Sequence, residues 1–217
     1  MMQQLISLLP QIKFIIIGVE TTVSYSLTAV FCGLMIGICL AIFKTSKNSL
    51  LRIFAQSYTS IFRGTPLLIQ LIIIYFGIPS LTGIKLSIFV AGVLSFSLNS
   101  GAYISEIIRA GINSIDQGQF EAARVLGISR FLCMRDIILP QATRIMFPSL
   151  INELINMIKE SALISTIGGM DLMRRAHIAS TENYDFFTPM IIAAATYYVL
   201  IMIVSNIGKF LEKRLKV

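Results

Sequence analysis

The residue types that perform covalent chemistry are almost absent from this chain. His177 is the only histidine, and three cysteines are scattered at 32, 39 and 133. No cysteine–histidine spacing suits a metal. Paired carboxylates, nucleophile triads and phosphate-binding glycine loops are equally missing. Catalysis by this chain and a bound metal are therefore not expected. What stands out instead is charge in the wrong place. Arg63, Glu153 and Lys159 lie within long apolar stretches, accompanied by Thr65, Asn99 and Asn156. Ionisable groups at such positions are costly in hydrocarbon and face a protein partner or a wet path. The chemistry they could perform is reversible binding of a polar solute.

Their spacing supports this. Ser95, Asn99, Tyr103 and Glu106 recur at helical intervals and share one face. Asn152, Asn156, Lys159 and Leu163 form a second stripe, with Glu153, Asn156 and Glu160 beside it. Taken as helices, three segments place Thr65, Asn99 and Glu153 at similar depth, where transporters hold their solute. Glu153 could alternatively pair with Arg63 or Lys159 and only hold the helices together.

The elements that position these groups follow from composition. The 217 residues are 55% hydrophobic and only 13% charged, about half the charge of a soluble domain. Disordered, collagen-like and ordinary soluble classes are excluded, and an all-α polytopic membrane protein remains. Five stretches are long enough to cross a bilayer: 14–43, 53–77, 86–108, 145–167 and 187–208. The first lacks a basic lead and is too long for a signal-peptide core, so it is expected to be retained. Ile78-Pro79 is expected to end the second span. Pro66 should kink it, as a gate or a static bend. Gly33 and Gly37 form a GxxxG pair suited to close helix packing.

Five crossings put the ends of the chain on opposite sides. Twelve basic residues fall on one side: Lys44, Lys47, Arg52, Arg109, Arg124, Arg130, Arg135, Arg144, Lys209, Lys213, Arg214 and Lys216. Four fall on the other: Lys13, Lys85, Arg174 and Arg175. The positive-inside rule places the N-terminus outside and the C-terminus in the cytoplasm. The net charge of +7 is thus a feature of topology, and no nucleic-acid partner is expected. The outer loop 168–185 is expected to dock a protein, act as a lid or be simply solvated.

The longest cytoplasmic loop, about 110–141, reads as two short helices. Asp116 can cap the first, with Gln119 as its capping-box partner. Gly127 sits where that helix should end in a left-handed turn. Pro140 should begin the return to the membrane. Such a compact loop suits a docking surface.

Within it, Glu121-Ala122-Ala123, Gly127, Ile137 and Leu139-Pro140 stand at the spacing of a known motif. The pattern resembles the EAA loop of membrane subunits of binding-protein-dependent ABC importers. Phe62-Arg63-Gly64-Thr65-Pro66-Leu67, Asn99 to Gly111 and Lys159 to Leu163 resemble the polar amino acid (glutamine, histidine, arginine-type) branch. The similarity extends from Gly18 onward. Asp116 departs from it, where many members carry proline, but keeps a helix-start residue. The resemblance implies a single permease domain over residues 1–217 with the type I importer fold, in a bacterial inner membrane. It implies a second permease subunit, identical or homologous, a separate ATPase holding ATP and magnesium, and an external solute-binding protein. Glu121, Ala122, Ala123 and Gly127 would couple to the ATPase. Glu153 and Asn99 would bind a polar amino acid, glutamine being one candidate. The same machine with another solute is an alternative, as is an ATP-independent transporter or channel, which would have no use for the EAA loop.

Overall fold

The structure is a computed structural model that describes residues 2–215, with side chains from Leu9 to Arg214. Lys216, counted above among the cytoplasmic cations, lies outside the described residues. All regular structure among the described residues is helical. In chain order the elements are α1 (Met2–Ile16), α2 (Gly18–Thr45), α3 (Ser49–Gly64), α4 (Leu67–Ile72), α5 (Ile78–Thr82) and α6 (Ile88–Asn113). They continue as α7 (Gln117–Val125), α8 (Arg130–Leu132), α9 (Leu139–Glu160), α10 (Leu172–Asn183) and α11 (Phe187–Leu215).

Three helical runs are long and apolar enough to cross a membrane: Leu9–Thr45, α6 and α11. Their outward faces carry Leu27, Phe31, Met35, Ile191, Val199 and Ile203, all exposed, as a surface solvated by lipid requires. The expected second span is not one straight helix. Ser49–Gly64 and Leu67–Thr82 meet at 105°. Counted as one broken span, the pair makes a fourth. Two pieces so bent cannot both follow the membrane normal. Pro66 has no N–H to give Phe62, and Gly64 and Thr65 open the turn before it. The bend falls at Pro66, where a kink was expected. One expectation for this segment is corrected: Pro79 does not end it. A wide π turn at Ile73–Gly77 absorbs the widened backbone, Pro79 enters the first turn of α5, and Gly83 stops the helix at φ 73°.

The fourth expected span is α9 followed by a 3-10 segment, Ser161–Ile167. Its polar stripes keep it from the apolarity of the other three. The loop holds the two expected helices, α7 and α8, and Pro140 stands in the first turn of α9. The second of them is not separate, because α8, a π turn at Cys133–Ile138 and α9 run into one another from Arg130 to Glu160. A wide turn before a proline tolerates the missing N–H. The segment 168–185, expected as an outer loop, folds largely into α10.

Packing is layered along the bundle. A central core joins Tyr25, Ala29, Leu67, Leu71, Phe96, Met157 and Ile164. At the loop end, Ile115, Ala123, Cys133, Ile138, Ala142 and Met146 form a second core. At the opposite end, Ile15, Leu172, Ala176, Ala179 and Ala193 form a third. The GxxxG pair works inside this chain. A Cβ on Gly33 would lie 2.9 Å from Ser100 Cβ, and one on Gly37 would lie 2.7 Å from Ile104 Cγ2. The two glycines let α2 press against α6.

Candidate functional site

Breaking the helix at Pro66 leaves the Phe62 carbonyl without its normal partner. Two amides replace it. Asn99 Nδ2 donates to Phe62 O at 3.0 Å, and Gln70 Nε2 donates to the same oxygen at 3.0 Å. Gln70 Nε2 also reaches Thr65 O at 3.1 Å and Thr65 Oγ1 at 2.9 Å. The Thr65 hydroxyl in turn donates to Ile61 O at 2.9 Å. Asn99 Nδ2 completes the set by donating to Gln70 Oε1 at 3.0 Å. Asn99 and Gln70 are both buried. A buried carbonyl left bare would cost about 1–3 kcal/mol, so these amides are what makes the bend tolerable. Both Asn99 amide hydrogens are committed here, and its Oδ1 is the atom left for another partner.

Beside Asn99, Ser100 Oγ donates to Glu153 Oε1 at 2.7 Å. The Glu153 side chain belongs to α9 and is only 5% exposed. It makes no salt bridge among the described residues. Glu160, seven residues on and on the same face, carries a buried Oε2 with no hydrogen-bond partner. Two carboxylates along one face, served by one hydroxyl, make a site that is short of donors and of positive charge.

Neither Arg63 nor Lys159 forms a salt bridge with Glu153 or Glu160 among the described residues, although Lys159, next in the chain to Glu160, acts on that carboxylate from a distance. Lys159 and Asn156 lie on the exposed side of α9 with Asn152, as their shared stripe predicts. Arg63 is drawn elsewhere. Its Nη1 is 4.0 Å from Glu106 Oε2, and its guanidinium lies 5.4 Å from the Tyr103 ring centre. Glu106 is held more closely by Lys44 Nζ at 2.6 Å and by Arg109 Nη2 at 2.7 Å. Lys44 also donates to Ser105 Oγ at 2.8 Å. The sequence-derived residues thus divide into a bend cluster (Thr65, Asn99), an adjoining carboxylate (Glu153), a separate ion-pair cluster (Arg63) and an outward face (Asn156, Lys159).

Gln70, Ser100 and Lys44 were not singled out from sequence. Gln70 had a readable signal: it is the one amide in the apolar run from Leu67 to Phe76. Ser100 sits inside the quoted block beside Asn99, but nothing in its spacing pointed at Glu153.

In the loop, Asp116 caps α7 by accepting from Gly118 N–H at 2.6 Å. Gln119 contributes its backbone N–H to Asp116 O at 3.1 Å. Gly127 has φ 71°; its N–H donates to Arg124 O at 3.1 Å and Ile128 N–H donates to Ala123 O at 2.9 Å. That pair of bonds is a Schellman closure, which favours glycine at this position. Glu121 and Ala122 are exposed, whereas Ala123 is buried in the loop-end core. Val125 and Leu126 stand out at 87% and 74% exposure. The Arg135 guanidinium beside Asp136 holds that exposed carboxyl below its usual range.

Residues 33–217 match the model of the family described as the binding-protein-dependent transport system inner membrane component. The chain belongs to that family. It is 61% identical over 215 residues, covering 99% of each chain, to the putative glutamine transport system permease protein GlnP of Rickettsia typhi. It is 48% identical to the arginine transport system permease protein ArtQ of Bacillus subtilis, covering 96% of this chain and 95% of the other. A crystal structure of an amino acid ABC transporter with histidines superposes with a TM-score of 0.92 at 41% identity, covering 96% and 97% of the two chains. The MetNI methionine ABC transporter in an inward-facing form shares the fold, with a TM-score of 0.80 at 19% identity over 95% of this chain and 98% of the other. The bent α3–α4 segment, the capped loop and the buried Glu153 therefore belong to a membrane-embedded permease of an ABC transport system.

Proposed function

We propose that this permease carries a polar amino acid inward across a bacterial inner membrane, with Glu153 taking the solute's ammonium or a basic side chain. The observation that carries this is a buried carboxylate with a hydroxyl partner and no salt bridge among the described residues. An unpaired charge in a membrane interior is costly. A passing cationic group would relieve that cost, and Glu160 offers a second acceptor on the same face. Asn99 holds the bend with its amide hydrogens and can present Oδ1 to the solute. Thr65 joins that bend, Arg63 borders it, and Asn156 and Lys159 line the outward face of α9 toward an adjoining surface. Similarity to glutamine and arginine permeases supports an amino acid as the solute, glutamine included.

In this reading the chain crosses the membrane five times. The N-terminus is outside, and the 110–141 loop and the C-terminus are cytoplasmic. A second permease subunit completes the path. An external binding protein delivers the solute. A partner ATPase, holding ATP and magnesium, receives the exposed end of α7. Glu121 and Ala122 meet it, while Ala123 and Gly127 fix the shape of the helix that does so.

The test is ATP-driven uptake in vesicles containing the assembled importer and its binding protein. Glu153→Gln and Glu153→Ala should lower uptake and substrate-stimulated ATP hydrolysis at least about tenfold. Unchanged uptake in either, with assembly intact, would overturn the assignment.

A further inference from the structure

Two clefts meet at the loop end of the bundle. One, of about 340 Å³, is lined by Lys44, Gln56, Ser60, Arg63, Glu106 and Arg109. The other, of about 440 Å³, shares Arg63 and Glu106 and extends past Tyr103 toward Ser149. Three cations face one carboxylate here. Lys44, its side chain 6% exposed, and Arg109 satisfy the two Glu106 oxygens. Arg63 is left over. At 4.0 Å it is beyond hydrogen-bond distance of Glu106, and its side chain is 44% exposed. Its planar fork of donors is rigid and matched to a carboxylate. Gln56 and Ser60 are exposed on the wall contributed by α3. Arg63 is also next in the chain to Phe62, whose carbonyl Asn99 holds. Arg63 thus ties the cleft wall to the bend cluster through one peptide bond.

We propose that this cleft is a release-side anion site that takes the α-carboxylate of the amino acid as it leaves toward the cytoplasm. This rests on the importer reading above. The site recognises the part common to all α-amino acids, complementing Glu153, which meets the positive group. Arg63 leaves its stacking place on Tyr103 and engages the carboxylate, while Glu106 stays neutralised by Lys44 and Arg109. An amino acid accumulating on the cytoplasmic side occupies the same cleft and slows turnover.

The test uses vesicles of the assembled wild-type importer with the binding protein and labelled L-glutamine or L-arginine inside, and ATP outside. Unlabelled amino acid, or its α-amide, is added outside, on the ATPase side. The acid should inhibit transport, and the amide should be at least about tenfold weaker. Arg63→Gln should raise the inhibitory concentration about tenfold, with Arg63→Lys between. Equal inhibition by acid and amide, or no inhibition by either, would overturn the site, and neither result depends on a variant that folds. A sensitivity unchanged in Arg63→Gln would do the same. If the acid–amide difference vanishes when phosphatidylglycerol is added to phosphatidylcholine vesicles, the cleft holds a lipid phosphate and the proposal fails. Absence of ATP-driven transport of either amino acid by wild type would instead defeat the importer reading.

Discussion

The Asn99 side-chain amide donates to the Phe62 carbonyl at 3.0 Å, the oxygen that Pro66 leaves without a helical donor. A polar residue buried in a membrane helix thus serves the backbone of a neighbouring helix. Asn99→Leu should lower stability by about 1–3 kcal/mol. Gln70→Leu should act similarly, since Gln70 shares the same oxygen. The double variant should depart from additivity by at least about 0.5 kcal/mol. Unfolding of the four proteins in one detergent measures this, and additive losses would show that the two amides act independently.

The close contact at Gly37 gives a second prediction. A methyl there would lie 2.7 Å from Ile104 Cγ2 and 3.1 Å from Ser105 N. Gly37→Ala should therefore cost about 1–3 kcal/mol through overpacking. It should also loosen Lys44 from Ser105, which sits on the displaced strip of α6. Thermal unfolding reads the first effect and cross-linking of paired cysteines on α2 and α6 reads the second.

Gly127 is a different case, since nothing lies within 4 Å of its added Cβ. Its demand is purely conformational, at φ 71°. Gly127→Ala should cost about 1–2 kcal/mol, and Gly127→Asn less. If the loop is the ATPase contact, co-purification of the partner should fall in the same order.

The cap of α7 can be tested without any partner. Asp116→Ala removes the acceptor for Gly118 N–H and should cost about 1 kcal/mol of local stability, with Asp116→Ser restoring most of it. Hydrogen exchange at the first α7 amides should accelerate in the alanine variant alone.

The loop was the most legible part of this sequence. Asp116, Gly127 and the helix between them are local devices, set by residues within a turn of one another. The apolar runs within Leu9–Thr45, α6 and α11 were legible for the same reason, since each is a continuous local stretch. The positions of Asn99 and Glu153 inside the bundle were also readable, because charge and amide in an apolar run announce themselves. What could not be read is what those groups touch. The 105° bend depends on Pro66 but its size depends on Gln70 and Asn99, which lie 4 and 33 residues away. Arg63 looked like a partner for Glu153 and went to Tyr103 and Glu106 instead. Ala123 belongs to the same motif as Glu121, yet the two face opposite ways, because one side of α7 packs on Cys133 and Ile138.

The uninterrupted run from Arg130 to Glu160 has a mechanical meaning. The stretch from Arg130 to Glu153 spans about 35 Å of helical contour at the usual rise per residue. Pro148, inside α9, denies Arg144 its helical donor and is a soft joint on the way to Glu153. The loop-end core and Glu153 are therefore joined by one hydrogen-bonded backbone rather than by a relay of side chains. Pro148→Ala restores the donor to Arg144 and should stiffen that connection, which slower hydrogen exchange in the turn around Pro148 would show.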